Sequence, residues 1–235
     1  MRQHRGIFIT GTDTGVGKTV VTAGIALALR RAGINAVVMK PVETGCVTRK
    51  RLRVPSDATF HLSTLGIDEP LDLICPVRLR HPLAPMTAAE IEGETIDMRR
   101  IIQAYENLAS RYDLVLVEGA GGLMTPVADG CLFSGLAAEL GLNMLLIAGL
   151  RLGVINHTLL SLDHARNRGI STLGIIFNRL TSGRPDAAAR TSPDAIARFT
   201  SVQALGTFPH LANLSTDTLM RASRRIADKL MAVIE

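Results

Sequence analysis

Five short runs, at 6–10, 36–40, 114–118, 144–148 and 173–177, are apolar almost without interruption. A strand covered on one face alternates apolar with polar residues. A run with no polar face belongs to a strand buried on both sides, as in a parallel sheet wrapped by helices. Longer amphipathic segments fall between the runs. The clearest is 95–112, where Ile101, Ile102, Tyr105, Leu108, Ala109 and Tyr112 form the core-facing stripe of a helix behind a Thr95 N-cap. Further helices are expected over 18–31, 56–65, 154–168, 185–200 and 216–234. This alternation predicts a single doubly wound α/β domain over 1–235, its mostly parallel sheet carrying helices on both faces. The stretches 44–55 and 69–85 are long excursions, where such folds often carry substrate or subunit contacts.

Composition limits the partners. With 47% hydrophobic and 20% charged residues, the chain has the means for a core and is no disordered, collagenous or coiled-coil protein. The apolar stretches 19–29 and 141–150 end at Arg30 and Arg151, too short to span a bilayer. Behind the basic start Met1-Arg2-Gln3-His4-Arg5, the apolar run Gly6-Ile7-Phe8-Ile9 is too short for a secretory signal. Cys46, Cys75 and Cys131 form no CxxC and make a poor disulfide framework, so a reducing cytoplasm is expected. The histidines form no HExxH and no Cys/His cluster for a transition metal. A net charge of +5 tolerates anionic ligands, but 3% aromatic residues and no Trp leave no base-stacking platform. Neither a nucleic acid nor a membrane is expected as partner. The run Arg49-Lys50-Arg51-Leu52-Arg53 reads as a solvated loop, with anion steering as the alternative.

Three motifs carry chemistry. After the first run comes Gly11-Thr12-Asp13-Thr14-Gly15-Val16-Gly17-Lys18-Thr19-Val20, followed by a helix. The pattern GxxxxGK[ST] would need Gly where Thr12 stands, so this phosphate loop is deviant. Its context is nonetheless the one the chemistry needs: backbone N–H groups wrap phosphates, Lys18 reaches the β and γ oxygens, and Thr19 holds Mg²⁺. The second motif, Asp113-Leu114-Val115-Leu116-Val117-Glu118-Gly119-Ala120-Gly121-Gly122, delivers the Glu118 carboxylate to the C-terminal edge of a buried strand, where it can face a metal. Asp57, after Ser56 at a helix start, is a weaker metal candidate, since an acid there commonly serves the helix dipole. The third is Lys40-Pro41-Val42-Glu43-Thr44-Gly45. A lone lysine at a strand end is ordinarily solvated; beside Lys18, Lys40 reads instead as a second cation on one anionic reaction centre.

GTDTGVGKT, KPVETG and VEGAGGLMTPV, in this order and spacing, resemble the dethiobiotin synthetases, and the likeness runs over about 7–178. The resemblance implies a homodimeric fold of the P-loop nucleoside triphosphatase type. It also implies a reaction in which 7,8-diaminononanoate, CO₂ and ATP give dethiobiotin, ADP and phosphate with Mg²⁺. By the same resemblance Thr19, Asp57 and Glu118 become metal ligands, and Thr12, Lys18, Lys40 and Thr44 become reaction-centre residues. The loop residues Asp13, Thr14, Gly15, Val16, Gly17 and Val20 would bind the nucleotide. Leu152-Gly153-Val154-Ile155-Asn156-His157 is similar to the segment where a helix start from the partner subunit holds the substrate carboxylate, pointing to Gly153, Val154 and Asn156. Asn178 resembles an adenine-reading residue, and Gly206-Thr207-Phe208-Pro209 a base loop, so Pro209 joins the nucleotide contacts.

The mechanism implied needs no protein nucleophile. A substrate amine takes up CO₂, the carbamate oxygen attacks the γ-phosphate, and the second amine closes the ring and expels phosphate. Cys46, although near Thr44, is therefore read as a bystander. The rival reading is a partitioning or septum-positioning ATPase switch of the same deviant P-loop fold. Such proteins carry a signature lysine where this chain has Asp13, and they have no use for KPVETG. A cobyrinate-type amide ligase shares the loop but needs a glutaminase domain, for which 235 residues leave no room.

Overall fold

The computed structural model describes residues 6–234. The basic start at 1–5 lies outside them. β1 (Gly6–Gly11) runs into α1 (Lys18–Arg31) and then β2 (Ala36–Met39). An excursion follows: β3 (Val42–Glu43), the hairpin of β4 (Val47–Arg49) and β5 (Leu52–Val54), α2 (Ser56–Leu65), α3 (Leu71–Ile74), β6 (Val77–Arg78) and α4 (Pro85–Glu92). α5 (Met98–Ala109) leads into β7 (Leu114–Glu118). A small hairpin, β8 (Pro126–Ala128) with β9 (Cys131–Leu132), and α6 (Phe133–Glu139) precede β10 (Asn143–Gly149). The chain closes with α7 (Val154–Asn167), β11 (Thr172–Asn178), α8 (Ala187–Ala197), β12 (Ala204–Phe208) and α9 (Thr216–Ile234).

The main sheet has six strands in the order β12-β11-β10-β1-β7-β2, and every pair is parallel. Its side chains alternate between two cores, as the period of a strand requires. Ile7, Ile9, Leu114, Leu116, Leu145 and Ile147 pack towards Val21, Ile25 and Leu29 of α1 and Leu219, Ile226 and Leu230 of α9. Phe8, Val115, Val117, Met144 and Leu146 point the other way, into the core that holds Ile101, Tyr105 and Leu108 of α5, Leu136 of α6 and Leu162 of α7. Both faces are thus covered, which is why the strands read as continuous apolar runs. From β1 the chain crosses to β2 on one side; from β10 it crosses to β11 on the other. The crevice between β1 and β10 is the switch point where folds of this type bind ligands.

Several boundaries differ from the sequence expectation. The helix expected over 95–112 starts at Met98, because the Asp97 side chain accepts from the Arg99 N–H at 2.9 Å and caps it; Thr95 caps nothing, and Tyr112 lies beyond its end. β2 stops at Met39, one residue early, because the Lys40 N–H turns away to the Ile74 carbonyl at 2.7 Å. Asp186 caps α8 from just outside, so that helix begins at Ala187. The stretch 44–55 is not all loop: its basic run forms the β4–β5 hairpin, turning through Lys50 and Arg51 with φ of 48° and 65°. The stretch 69–85 contains α3 and β6, and β6 pairs with β3. α4, α6 and the sixth strand, β12, were not anticipated. No helix among the described residues is long and apolar enough to cross a membrane.

Candidate active site

The C-terminal ends of the strands bring the three motifs to one edge. Ile9 pairs in register with Glu118, Met39 with Val117, and Asn178 with both Gly149 and Phe208. The residues that follow the six strands therefore share one rim: Thr12, Lys40, Gly119, Leu150, Arg179 and Pro209. Between β1 and α1 the phosphate loop turns through Gly15 and Gly17, with φ of 73° and 83°. Gly17 is obligatory for two reasons, since a Cβ there would meet the Asn178 amide as well as strain the backbone. The Thr12 N–H donates to the Ile147 carbonyl at 3.0 Å, tying the loop to β10. Asp13 turns inside its own loop, accepting from the Thr14 N–H at 2.7 Å, and its other carboxylate oxygen pairs with Arg151. Lys18 is buried and donates to the Asp13 carbonyl at 3.1 Å.

Beside the loop lies a compact charge network. Lys40 Nζ sits 2.7 Å from Glu118 Oε1 and 2.9 Å from Asp57 Oδ2. The Thr19 hydroxyl donates to the same Glu118 oxygen at 2.9 Å. The second oxygen, Oε2, is 3.0 Å from His61 Nε2. A carboxylate accepts only, so this contact places the ring proton on Nε2. Lys40 and Glu118 are buried, at 3% and 0% exposure, contrary to the solvated state ordinary for a lone lysine. Burial alone would pull the Lys40 pKa down, but the charges of Glu118 and Asp57 overcome it and hold the ammonium well above its ordinary value. Burial likewise works to raise Glu118, and Lys40 and His61 reverse it, so the carboxyl is held far below the usual range. Lys18 has no such close anion. Burial first, and the charge of Lys40 second, pull it down to about 8. At pH 7 both remain mainly protonated, so an anion placed between the two lysines would meet two cations, of which Lys18 gives up its proton more readily.

The donor set fits a hard divalent cation. Two carboxylates and a hydroxyl converge, and Asp57 and Glu118 already share one cation, the Lys40 ammonium. Oxygen donors of this kind suit Mg²⁺, which takes one or two protein carboxylates and completes its sphere with water and phosphate. Among the described residues no group of three or more His, Cys, Asp or Glu gathers to hold a metal ion by itself, so the Thr19 hydroxyl and phosphate oxygens would have to share in the binding.

The other expected residues are found in differing states. Asn178 is buried, and its Nδ2 donates to the Val16 carbonyl at 2.8 Å, so it braces the phosphate loop. Pro209 follows β12 at the adjacent strand end, directly after Phe208, the register partner of Asn178. Val20 lies half-buried in the first turn of α1. Thr44 follows Glu43 at the end of β3, half-buried, before Gly45 turns the chain with φ of 77°. α7 opens at Gly153 with φ of 94° and no side-chain cap; its Val154 N–H is engaged by the Arg151 carbonyl at 3.1 Å, and Asn156 is exposed. Cys46 is buried, its thiol pushed up to about 11 mainly by burial, which is no nucleophile's setting. Two residues of this region were missed. His61 lies four residues after Asp57, one helical turn on, a spacing that puts both on one face of α2. Glu43 stands inside KPVETG itself, yet nothing in the motif assigned it work.

Comparison with known proteins decides between the readings of this site. A family model described as an AAA domain matches residues 5–218. The ATP-dependent dethiobiotin synthetase of Thermodesulfovibrio yellowstonii is 39% identical over 221 residues, covering 91% of this chain and 92% of the relative. That of Bacillus subtilis is 35% identical, with 92% of each chain covered. The chain belongs to the dethiobiotin synthetase family. Solved structures add the fold alone. A ParA family ATPase from Chlorobium tepidum superimposes with a TM-score of 0.58 at 17% identity, covering 98% of this chain and 99% of the other. The cell division protein MinD of Aquifex aeolicus gives 0.58 at 18%, covering 97% and 96%. This chain thus shares its sheet architecture with ParA family and MinD proteins, while the sequence likeness is to the synthetases.

Proposed function

We infer that this chain is an ATP-dependent ligase that closes the ureido ring of dethiobiotin in biotin synthesis, from 7,8-diaminononanoate, CO₂ and ATP. The observation that carries the mechanism is the buried Lys40 bridging Asp57 and Glu118 beside the phosphate loop. One amine of the substrate adds to CO₂ and loses a proton, giving a carbamate. A carbamate oxygen attacks the γ-phosphorus, ADP leaves, and a carbamic–phosphoric anhydride remains. The second amine attacks the anhydride carbon and gives up a proton, the ring closes, and phosphate departs with the bonding pair and can carry that proton away. Its difficult moment is electrostatic, because an anionic carbamate must approach an anionic triphosphate. Two unit charges at 4 Å repel by about 4 kcal/mol at an effective dielectric of 20. Lys18 and Lys40 are the groups that offset this, while the loop N–H groups from Asp13 to Thr19 orient the phosphates. Thr19, Asp57 and Glu118 would hold Mg²⁺, whose charge neutralises phosphate when it is bound.

The same reading assigns Thr12 and Thr44 to the diamine and carbamate, and the start of α7, at Gly153, Val154 and Asn156, to the carboxylate tail. Asn178 and Pro209 flank the base. The same reading makes the enzyme a homodimer in which the start of α7 from one subunit serves the phosphate loop of the other, and the exposure of Leu152 beside that segment, at 90%, supports a contact there. The reading treats 1–235 as one domain that acts in the cytoplasm. The test is an assay with diaminononanoate, bicarbonate and Mg·ATP, following dethiobiotin by mass spectrometry and ADP release. Dethiobiotin formed in step with ADP is expected. ATP hydrolysis that ignores the diamine and responds to DNA or lipid vesicles would overturn the reading. Mixing inactive Lys18→Ala protein with inactive Asn156→Asp protein should restore activity if sites are shared between subunits. Proven subunit exchange without recovery would place the carboxylate site within one chain.

A further inference from the structure

Glu43 has no part in the reaction outlined above, yet its side chain is as buried as that of Lys40, at 3% exposure. Its carboxylate lies against the start of α2 without belonging to that helix. Oε1 accepts from the Ser56 hydroxyl at 3.0 Å and from the Asp57 N–H at 2.9 Å; Oε2 accepts from the Ala58 N–H at 3.0 Å. The residue at the N-cap position is Pro55, which has no side-chain acceptor to offer. The first N–H groups of a helix need outside partners, and here a side chain from a different segment supplies them. Its negative charge also sits at the positive end of the helix dipole.

Lys40 and Glu43 therefore grip α2 at two points: Lys40 holds the Asp57 carboxylate, and Glu43 holds the Asp57 backbone. Glu43 is itself fixed, since β3 pairs with β6 and the Glu43 carbonyl accepts from the Leu79 N–H at 2.8 Å. The Asp57 side chain, by contrast, is 35% exposed, so packing alone does not fix its direction. We propose that Glu43 is a positioning residue which, by capping α2 from outside, aims the Asp57 carboxylate at Lys40 and at the divalent cation of the nucleotide. This rests on the reading of Asp57 as a cation-facing carboxylate. Glu43→Ala removes both acceptor oxygens and with them all three hydrogen bonds. Glu43→Gln keeps one acceptor oxygen but sets an NH₂ group against a backbone N–H, so its effect is smaller.

The test measures Mn²⁺ binding to the ADP-loaded protein by electron paramagnetic resonance, together with metal-free ADP affinity and Tm, for wild type, Glu43→Gln, Glu43→Ala and Asp57→Asn. Glu43→Ala should weaken Mn²⁺ binding about tenfold, the size of effect expected when a ligand loses its support. Glu43→Gln should weaken it by about two- to fourfold, and ADP affinity without metal should stay within twofold. A lowered Tm with unchanged Mn²⁺ affinity would reduce Glu43 to a structural cap and overturn the proposal. If Glu43→Ala does not fold, unchanged Mn²⁺ affinity in Glu43→Gln has the same force. If Asp57→Asn weakens Mn²⁺ binding while the Glu43 variants do not, the Glu43 link alone fails. If Asp57→Asn is also without effect, the cation-facing reading of Asp57 fails and the proposal with it.

Discussion

Replacing Lys40 by Met keeps the length of the side chain and removes its charge. The buried Glu118 carboxylate would lose its 2.7 Å ammonium partner while keeping the Thr19 hydroxyl and the His61 ring N–H. Breaking a buried pair by removing one member costs about 3–5 kcal/mol. The two surviving hydrogen bonds argue for the lower end, about 3 kcal/mol, a large share of the 5–15 kcal/mol typical of a folded protein. Asp57 is partly solvated and adds little to this cost. Turnover falls by a separate route. A lone unit charge about 4 Å from the reacting anions would be worth about 4 kcal/mol at an effective dielectric of 20, nearly a thousandfold in rate, and this is an upper bound because Glu118 and Asp57 already share the Lys40 charge. Lys18 remains and can shoulder part of the load, so a loss of at least about a hundredfold is expected. The assays are urea denaturation without ligands and dethiobiotin formation at saturating substrates, with ADP binding as the control that should stay near wild type. Adding Glu118→Gln removes the orphaned charge, so the double variant should regain stability without regaining turnover. A Lys40→Met protein that loses less than about 1 kcal/mol and keeps more than about a tenth of wild-type turnover would refute both the buried pair and the catalytic charge.

Glu118→Gln and Asp57→Asn each withdraw one charge from the cation side, so turnover should fall at limiting Mg²⁺ and recover in part with excess; normal activity at limiting Mg²⁺ rejects the residue as a ligand. Burial by itself would raise the Glu92 carboxyl, but the N–H groups of His81 and Arg80 hold it down to about 2. A folded pKa below the unfolded one means stability that is present above the unfolded value of about 4.3 and is lost as pH falls towards about 2. Glu92→Gln should therefore be less stable at neutral pH and show a flatter decline below pH ~4.3 in urea midpoints; parallel curves would dismiss the linkage. Gly17→Ala should weaken ATP binding far more than Gly15→Ala. Both need a positive φ, but only at Gly17 would the new Cβ strike Asn178, whereas Gly15 has nothing within 4 Å. Equal losses by calorimetry would show that the close approach of Asn178 does not matter.

What the sequence by itself determined is whatever local chemistry or two-sided burial imposes. β1, β7 and β10 could be read because each is apolar on both faces. β12 could not, since as an edge strand it exposes Ala204 and Thr207 and carries Gly206, leaving no continuous apolar run. The phosphate loop was readable because its glycines, Lys18 and Thr19 act within one turn of chain. The end of KPVETG was not. Glu43 serves a helix that starts thirteen residues later, and no local pattern ties an acid to donors at that distance. Tertiary structure decided the rest by bringing strand ends together. Parallel strands joined by crossover helices set Thr19 against Glu118 across 99 residues and Asn178 against Val16 across 162. Which of several acids and lysines meet at that rim depends on strand order and register. Once they meet away from water, each charge must find a partner, and that requirement made Lys40 a buried bridge where its sequence neighbourhood allowed an ordinary solvated lysine.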